Sequence, residues 1–351
     1  MKNWDAIIIG AGIIGLTLAI ELHKRGAKVL VVERGEPGRE ASSAAGGMLV
    51  DSPLETHTVL QPLATASARM YPEFAYELEV ESGAKVDLRD QGAIVFPTEP
   101  WYESAGLESL LPSRLSEMEP ALANASRPAF CLKERSVDPR GVTAAAIKTA
   151  KKRGIDFSSG DSVTAVNVTD GRATGITTIK TTFHAPKVVN CAGAWSGQIG
   201  PHAFPTRPVK GQMLCLVSPS RELLKHVIRA PEAYLIPRSD GRIIVGTTVE
   251  EAGFDKRTDV STIQRLHRAA VALVPELRNA KILEDWAGLR PGTPDALPIL
   301  GATSTPGYYV ATGHFRDGIL LAPITAKVMA GVIDGIEPEY DVTPFSPARF
   351  R

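Results

Sequence analysis

Gly10-Ala11-Gly12-Ile13-Ile14-Gly15 fits the pattern G-x-G-x-x-G, and Glu33 stands eighteen residues beyond the last of these glycines. Each residue type has a physical task at a bound dinucleotide. Gly10 permits a tight turn, Gly12 lets the backbone approach a pyrophosphate, and Gly15 lets a helix pack closely on the preceding strand. Unpaired amides at the start of that helix, around Ile13 and Ile14, attract phosphate oxygens. Glu33 can accept hydrogen bonds from ribose hydroxyls, and an acidic residue there disfavours a 2′-phosphate. Arg34 beside it leaves that point open. The motif by itself does not separate NAD from FAD.

The elements that must position these residues are legible around them. Residues 6–9 form a β-branched run of the kind buried in a parallel sheet. Helical spacing follows through Leu18 and Leu22 to Arg25 and stops at Gly26. A second strand over residues 28–32 ends in Glu33. Near the other end, residues 308–312 read as a strand and Gly313 as a turn. A helix then starts near Gly318, with Leu320, Ile324 and Val328 on one face, and Pro323 is tolerable in it if it falls in the first turn. Between these ends, residues 80–135 and 208–284 hold short apolar runs, such as 93–96, 213–217 and 243–246. Turn residues such as Ser239-Asp240-Gly241 separate them, the pattern of antiparallel hairpins. The fold class expected is α/β mixed with antiparallel β.

Composition narrows the partners. Lysine plus arginine equals aspartate plus glutamate, 39 each, so the counterion release that drives duplex binding is missing and nucleic acid is not expected. Three cysteines, Cys131, Cys191 and Cys215, lie far apart, which excludes a disulfide framework and a cysteine-rich zinc site. The longest apolar stretch, residues 6–20, is cut by glycines and too short to span a bilayer, and a soluble, cytoplasmic protein is expected. No metal site is expected either.

Four segments resemble the D-amino-acid oxidase superfamily of FAD enzymes, and within it the glycine oxidases. Residues 35–49, small and flexible, resemble the loop that flanks the flavin. Residues 188–196, Val-Val-Asn-Cys-Ala-Gly-Ala-Trp-Ser, resemble the strand and turn that re-enter the flavin domain. Residues 285–295 resemble the segment that holds the substrate carboxylate, and residues 313–323 the last flavin-contacting turn. The likeness runs over nearly the whole chain. It implies a Rossmann-like FAD-binding domain of the glutathione-reductase type, built from residues 1–80, 136–207 and 285–351. An antiparallel-sheet substrate domain would come from residues 81–135 and 208–284.

The resemblance also assigns residues. Arg290 matches the carboxylate-binding arginine, Tyr234 a tyrosine adding a second hydrogen bond, and Arg316 an arginine near substrate and flavin. Ala41, Ser42, Gly46, Gly47 and Met48 would lie along the flavin, with Met48 on the isoalloxazine. Val163 would touch the adenine through its backbone, and Ala192, Gly193 and Trp195 would line the cofactor. His314, Phe315, Arg316, Asp317, Gly318, Ile319 and Leu320 would form the final flavin turn. A helix start there stabilises negative charge on a reduced flavin. No side chain is assigned acid or base work. Val249 stands near where the family carries a pocket methionine, which leaves the pocket size open. No cysteine lies near Arg290, so non-covalent FAD is expected. The implied activity is oxidation of glycine or another small amino acid with oxygen as acceptor, with a link to thiamine synthesis. A dehydrogenase passing electrons to a quinone or carrier is the alternative, a non-catalytic nucleotide-binding module a more distant one, and a homo-oligomer is compatible with either.

Overall fold

The strand Ala6–Ile9 is buried at every position, because parallel strands lie on both sides of it, helices cover the face of Ala6 and Ile8, and the small antiparallel sheet that includes Val163–Thr169 and Arg172–Thr178 covers the face of Ile7 and Ile9. The computed structural model describes residues 3–97, 108–123 and 127–350. Around Ala6–Ile9 a six-stranded sheet runs in the order Ile299–Ala302, Tyr308–Thr312, Lys187–Asn190, Ala6–Ile9, Val29–Glu33 and Asp156–Ser159. All neighbours pair in parallel except Ile299–Ala302. The helix Ile13–Lys24 buries Leu16, Leu18, Ala19 and Leu22, and packs in one apolar cluster with the helices Gln61–Ser82, Pro139–Lys152 and Gly318–Asp334.

The helix Gly318–Asp334 starts where the sequence places it but does not meet the condition set for Pro323. Pro323 is its sixth residue, in the second turn rather than the first, where a proline removes a ladder hydrogen bond. The neighbouring helix Gln61–Ser82 repairs the break. Tyr71 donates its hydroxyl to the Ile319 carbonyl at 3.2 Å, the acceptor that Pro323 cannot serve. Ser67 donates to the Leu320 carbonyl at 2.6 Å and accepts from the Ile324 amide at 3.4 Å.

The second large sheet has seven strands: Lys281–Gly292, Arg207–Val217, Arg242–Gly246, Tyr234–Pro237, Val227–Arg229, Ala93–Val95 and Phe130–Leu132. It is antiparallel except between Val227–Arg229 and Ala93–Val95. The turn at Ser239-Asp240-Gly241 closes the hairpin of Tyr234–Pro237 with Arg242–Gly246, as its residues foretell. The helix Val260–Leu273 buries Ile263, Leu266, Ala270 and Leu273 against one face. The domain division expected at residues 284 and 285 falls inside the strand Lys281–Gly292, which pairs with Arg207–Val217 over its whole length. The segment carrying Arg290 thus belongs to the antiparallel sheet.

Candidate active site

The first cavity, about 470 Å3, opens where the parallel strands end. Gly10, at φ 103°, makes the turn after Ala6–Ile9, and a Cβ there would meet the Cys191 carbonyl oxygen at 2.6 Å. Gly12, Ile13 and Ile14 line the cavity at the amino end of their helix, whose first turn carries no acidic residue to compete for an anion. Gly15 stays out of the cavity: a Cβ would stand 2.1 Å from the Gly10 carbonyl oxygen, so its role is helix–strand packing. Glu33 also lines the space, and its carboxylate accepts the Ala11 amide at 2.8 Å and the Gly35 amide at 3.0 Å. Arg34 is already engaged, paired with Glu40 at 2.6 Å and lying 3.5 Å over the Trp195 ring.

Most of the other expected residues come to this cavity. Ala41, Ser42, Val163, Ala192, Gly193 and Trp195 line it, as do His314, Phe315, Arg316, Gly318 and Ile319. Ser42 accepts the Ile13 amide at 2.9 Å, fixing the small loop against the helix start. His314 is buried and shares a 3.1 Å hydrogen bond with Thr325. Burial pushes its imidazole down to about 3, so the ring is neutral at physiological pH. Leu320 is the exception: its side chain is buried in the core and lines neither cavity.

A second cavity, about 410 Å3, shares Ala41, Ala45, Leu289, Phe315, Arg316 and Ile319 with the first, so the two are continuous. Gly46, Gly47, Met48 and Asp317 line this one, with Tyr234 and Arg290 opposite. Two glycines that sequence reasoning did not single out shape its floor. Gly246 sits in register with Tyr234, and a Cβ on it would fall 2.6 Å from the ring. A Cβ on Gly211 would fall 2.3 Å from Arg290 Nη1. Arg290 donates to the Thr248 carbonyl at 3.1 Å and the Thr247 hydroxyl at 3.0 Å.

The electrostatics are those of an anion site. Burial pulls the Arg290 guanidinium below its ordinary range and Arg316 adds repulsion, while Tyr234 opposes both. Among the described residues no carboxylate pairs with Arg290 or with Arg316, whose guanidinium carbon lies 5.1 Å from the Phe315 ring centroid. At the mouth, Arg229 bridges Glu55 and Glu134, the latter at 2.9 Å. That trio has no compact signature, since its members come from three distant segments. Val249 is 59% exposed at the rim, so it does not fill the chamber floor. Cys191 lines the first cavity, with its thiol pushed up by burial, and no cysteine lines the second. Among the described residues no cluster suited to a metal ion occurs, and no helix is long and apolar enough to cross a membrane.

Residues 5–332 match the family model described as FAD dependent oxidoreductase (DAO). The chain belongs to this FAD-dependent oxidoreductase family. It is 33% identical to the glycine oxidase of Pseudomonas aeruginosa, over 97% of this chain and 98% of that protein. It is 33% identical to the bifunctional protein ThiO/ThiG of Trichormus variabilis, covering 99% of this chain but 55% of the relative. The chain thus spans about half the length of such bifunctional relatives. Among solved structures, glycine oxidase from Geobacillus kaustophilus superposes with a TM-score of 0.93 at 31% identity, covering 99% of each chain.

The family's cofactor is FAD, and the residues present fit it. Side chains at Gly10 and Gly15 would collide with backbone, so the glycine turn keeps its shape only without them. Glu33 retains acceptor capacity beyond its two amide bonds, since an ionised carboxylate offers about four lone-pair sites. The expectations of an FAD-dependent enzyme and of a Rossmann-like fold joined to an antiparallel sheet hold.

Proposed function

We propose that this enzyme oxidises glycine or another small amino acid at the second cavity. The observation that carries the reading is Arg290, a half-buried guanidinium on the chamber floor with no carboxylate partner among the described residues and with Tyr234 beside it. A planar guanidinium grips a carboxylate through two parallel hydrogen bonds. Thr247 and the Thr248 carbonyl hold that plane from behind, Tyr234 adds a hydroxyl, and Arg316 contributes a second positive charge. The names of the similar glycine oxidases support the substrate class, and the small, glycine-walled chamber is consistent with it.

FAD, when bound, would supply the two-electron acceptor for a hydride from the substrate α-carbon, and the overall products would be a 2-oxo acid and ammonia, by hydrolysis of an imino acid, with hydrogen peroxide from oxygen. The chain's own residues bind and orient. Gly12, Ile13 and Ile14 would hold the pyrophosphate, Glu33 the ribose, and the backbone at Val163 the adenine. Ala41, Ser42, Ala192, Gly193 and Trp195 would enclose the cofactor's middle. Gly46, Gly47, Met48 and residues 314–319 would hold the isoalloxazine, with the amino end of Gly318–Asp334 stabilising negative charge there. A role in thiamine synthesis is supported by the similarity to ThiO/ThiG proteins.

An anaerobic flavin-bleaching screen across glycine, sarcosine and small D-amino acids tests the reading. Bleaching by one of them, followed by fast reoxidation in oxygen, is the expected result. Bleaching with slow reoxidation would replace oxygen by a quinone or carrier protein, and no bleaching by any of them would overturn the substrate class.

A further inference from the structure

Three carboxylates line the second cavity among the described residues: Glu55, Glu232 and Asp317. Glu55 is ion-paired with Arg229, and Glu232 pairs with Arg127 at 3.1 Å. Asp317 differs. It occupies the N-cap position of the helix Gly318–Asp334, yet its side chain caps no amide. Its backbone is fixed, the amide donating to the His314 carbonyl at 2.9 Å and the carbonyl accepting from the Leu321 amide at 2.8 Å. Asp317 thus lines the chamber that holds Arg290 and Arg316, with no hydrogen bond or ion pair to its carboxylate among the described residues.

Resting on the amino-acid reading above, we propose that Asp317 removes the ammonium proton of the bound substrate. An amino acid enters as a zwitterion, and its carboxylate goes to the two guanidinium groups. Its ammonium would then be a third positive charge in the same small space, and Asp317 lies in the lining to meet it. The step is a plain proton transfer. One N–H bond breaks with its electron pair left on nitrogen, and one O–H bond forms on the carboxylate. Without that free pair the α-carbon cannot release hydride, because no C=N bond can form.

The surroundings suit the task. Burial pushes the Asp317 carboxyl up to about 6, against the pull of Arg316. A proton acceptor works best when its own affinity lies near the working pH. The other titratable groups on the elements around it leave this balance intact. His314 is neutral, Tyr71 is held protonated by burial, Arg290 stays cationic, and Asp51 and Glu55 sit on the segment before Gln61–Ser82.

The test is the rate of anaerobic flavin bleaching by the best small amino acid, from about pH 5 to about pH 10, for the parent, Asp317→Asn and Asp317→Glu. The parent should show an acid limb with an apparent pKa near 6. Asp317→Asn should lose that limb and need amine already neutral in solution, so its profile moves alkaline, costing about tenfold per pH unit of displacement. Asp317→Glu should restore a limb in the acid range. Superimposable profiles for the parent and Asp317→Asn overturn the proposal. So does a parent with no limb between about pH 5 and about pH 7.5, a reading that stands even if Asp317→Asn fails to hold FAD by its visible spectrum. Absence of bleaching by any amino acid overturns the substrate reading and the proposal with it, whereas bleaching with the wrong pH profile overturns the proposal alone.

Discussion

The hydroxyl of Tyr71 stands in for the amide that Pro323 lacks, donating to the Ile319 carbonyl at 3.2 Å from a neighbouring helix. The break lies one turn from the end of Gly318–Asp334 that faces both cavities. Core packing and site geometry are therefore linked through one hydrogen bond.

Tyr71→Phe should cost about 1–3 kcal/mol of stability, since it leaves a buried carbonyl without its donor while keeping the ring. Urea unfolding of the FAD-free protein measures this. FAD retention should fall as well, because the helix start loses its support. A variant with the parental urea midpoint would show that Ile319 needs no donor.

Glu33→Ala should weaken FAD retention more than it slows turnover in excess FAD. The carboxylate holds the Ala11 and Gly35 amides and faces the first cavity, away from the chamber of Arg290. Equilibrium dialysis of FAD against both proteins checks it, and equal affinity would remove Glu33 from the cofactor site. In the parent, acid precipitation should release all flavin from the polypeptide, because no cysteine lines the second cavity.

Arg290→Ala should nearly abolish oxidation of amino acids and leave FAD bound. Losing a charge-assisted bidentate contact costs about 2–5 kcal/mol. That corresponds to roughly 30-fold to several-thousand-fold in kcat/KM. Lysine at the position should recover only part, as a point charge cannot hold two oxygens in one plane. Steady-state kinetics at parental efficiency would move the carboxylate anchor to Arg316.

Glu134 makes stability depend on pH. Burial pushes its carboxyl from 4.5 up to about 7, despite Arg229. A carboxyl raised in the folded state is held there in its protonated form, so the stability it contributes is complete below its unfolded value. That contribution is lost as pH rises through its folded value. Thermal unfolding midpoints should therefore decline between about pH 4.5 and about pH 7 from this group, and Glu134→Gln should flatten the decline. An unchanged slope in the variant would place the dependence on another group.

Local signals carried much of the site. The strand, glycine turn, helix and Glu33 are contiguous, so the sequence around residues 6–33 reveals them directly, and the resemblance pointed to Arg290 and Tyr234. What stayed hidden depends on register between distant strands. Gly211 and Gly246 look like ordinary strand glycines until Arg290 and Tyr234 are laid over them. The helix Gln61–Ser82 was not singled out, because Ala64, Ser67, Ala68 and Ala75 share its buried face and Pro72 interrupts it. The compensation that makes Pro323 tolerable in the second turn lies on that same helix, which the sequence around residues 313–328 does not show.

The glycine gaps beneath the anchors also bear on how such an enzyme can diversify. Any side chain added at Gly211 or Gly246 displaces Arg290 or Tyr234, so the floor cannot be redrawn by a single substitution without moving a group proposed to hold the substrate. Val249 and Glu232 carry no such constraint, being exposed at the opening. On the proposed reading, substrate preference can drift there, one replacement at a time, while the carboxylate anchor is inherited intact.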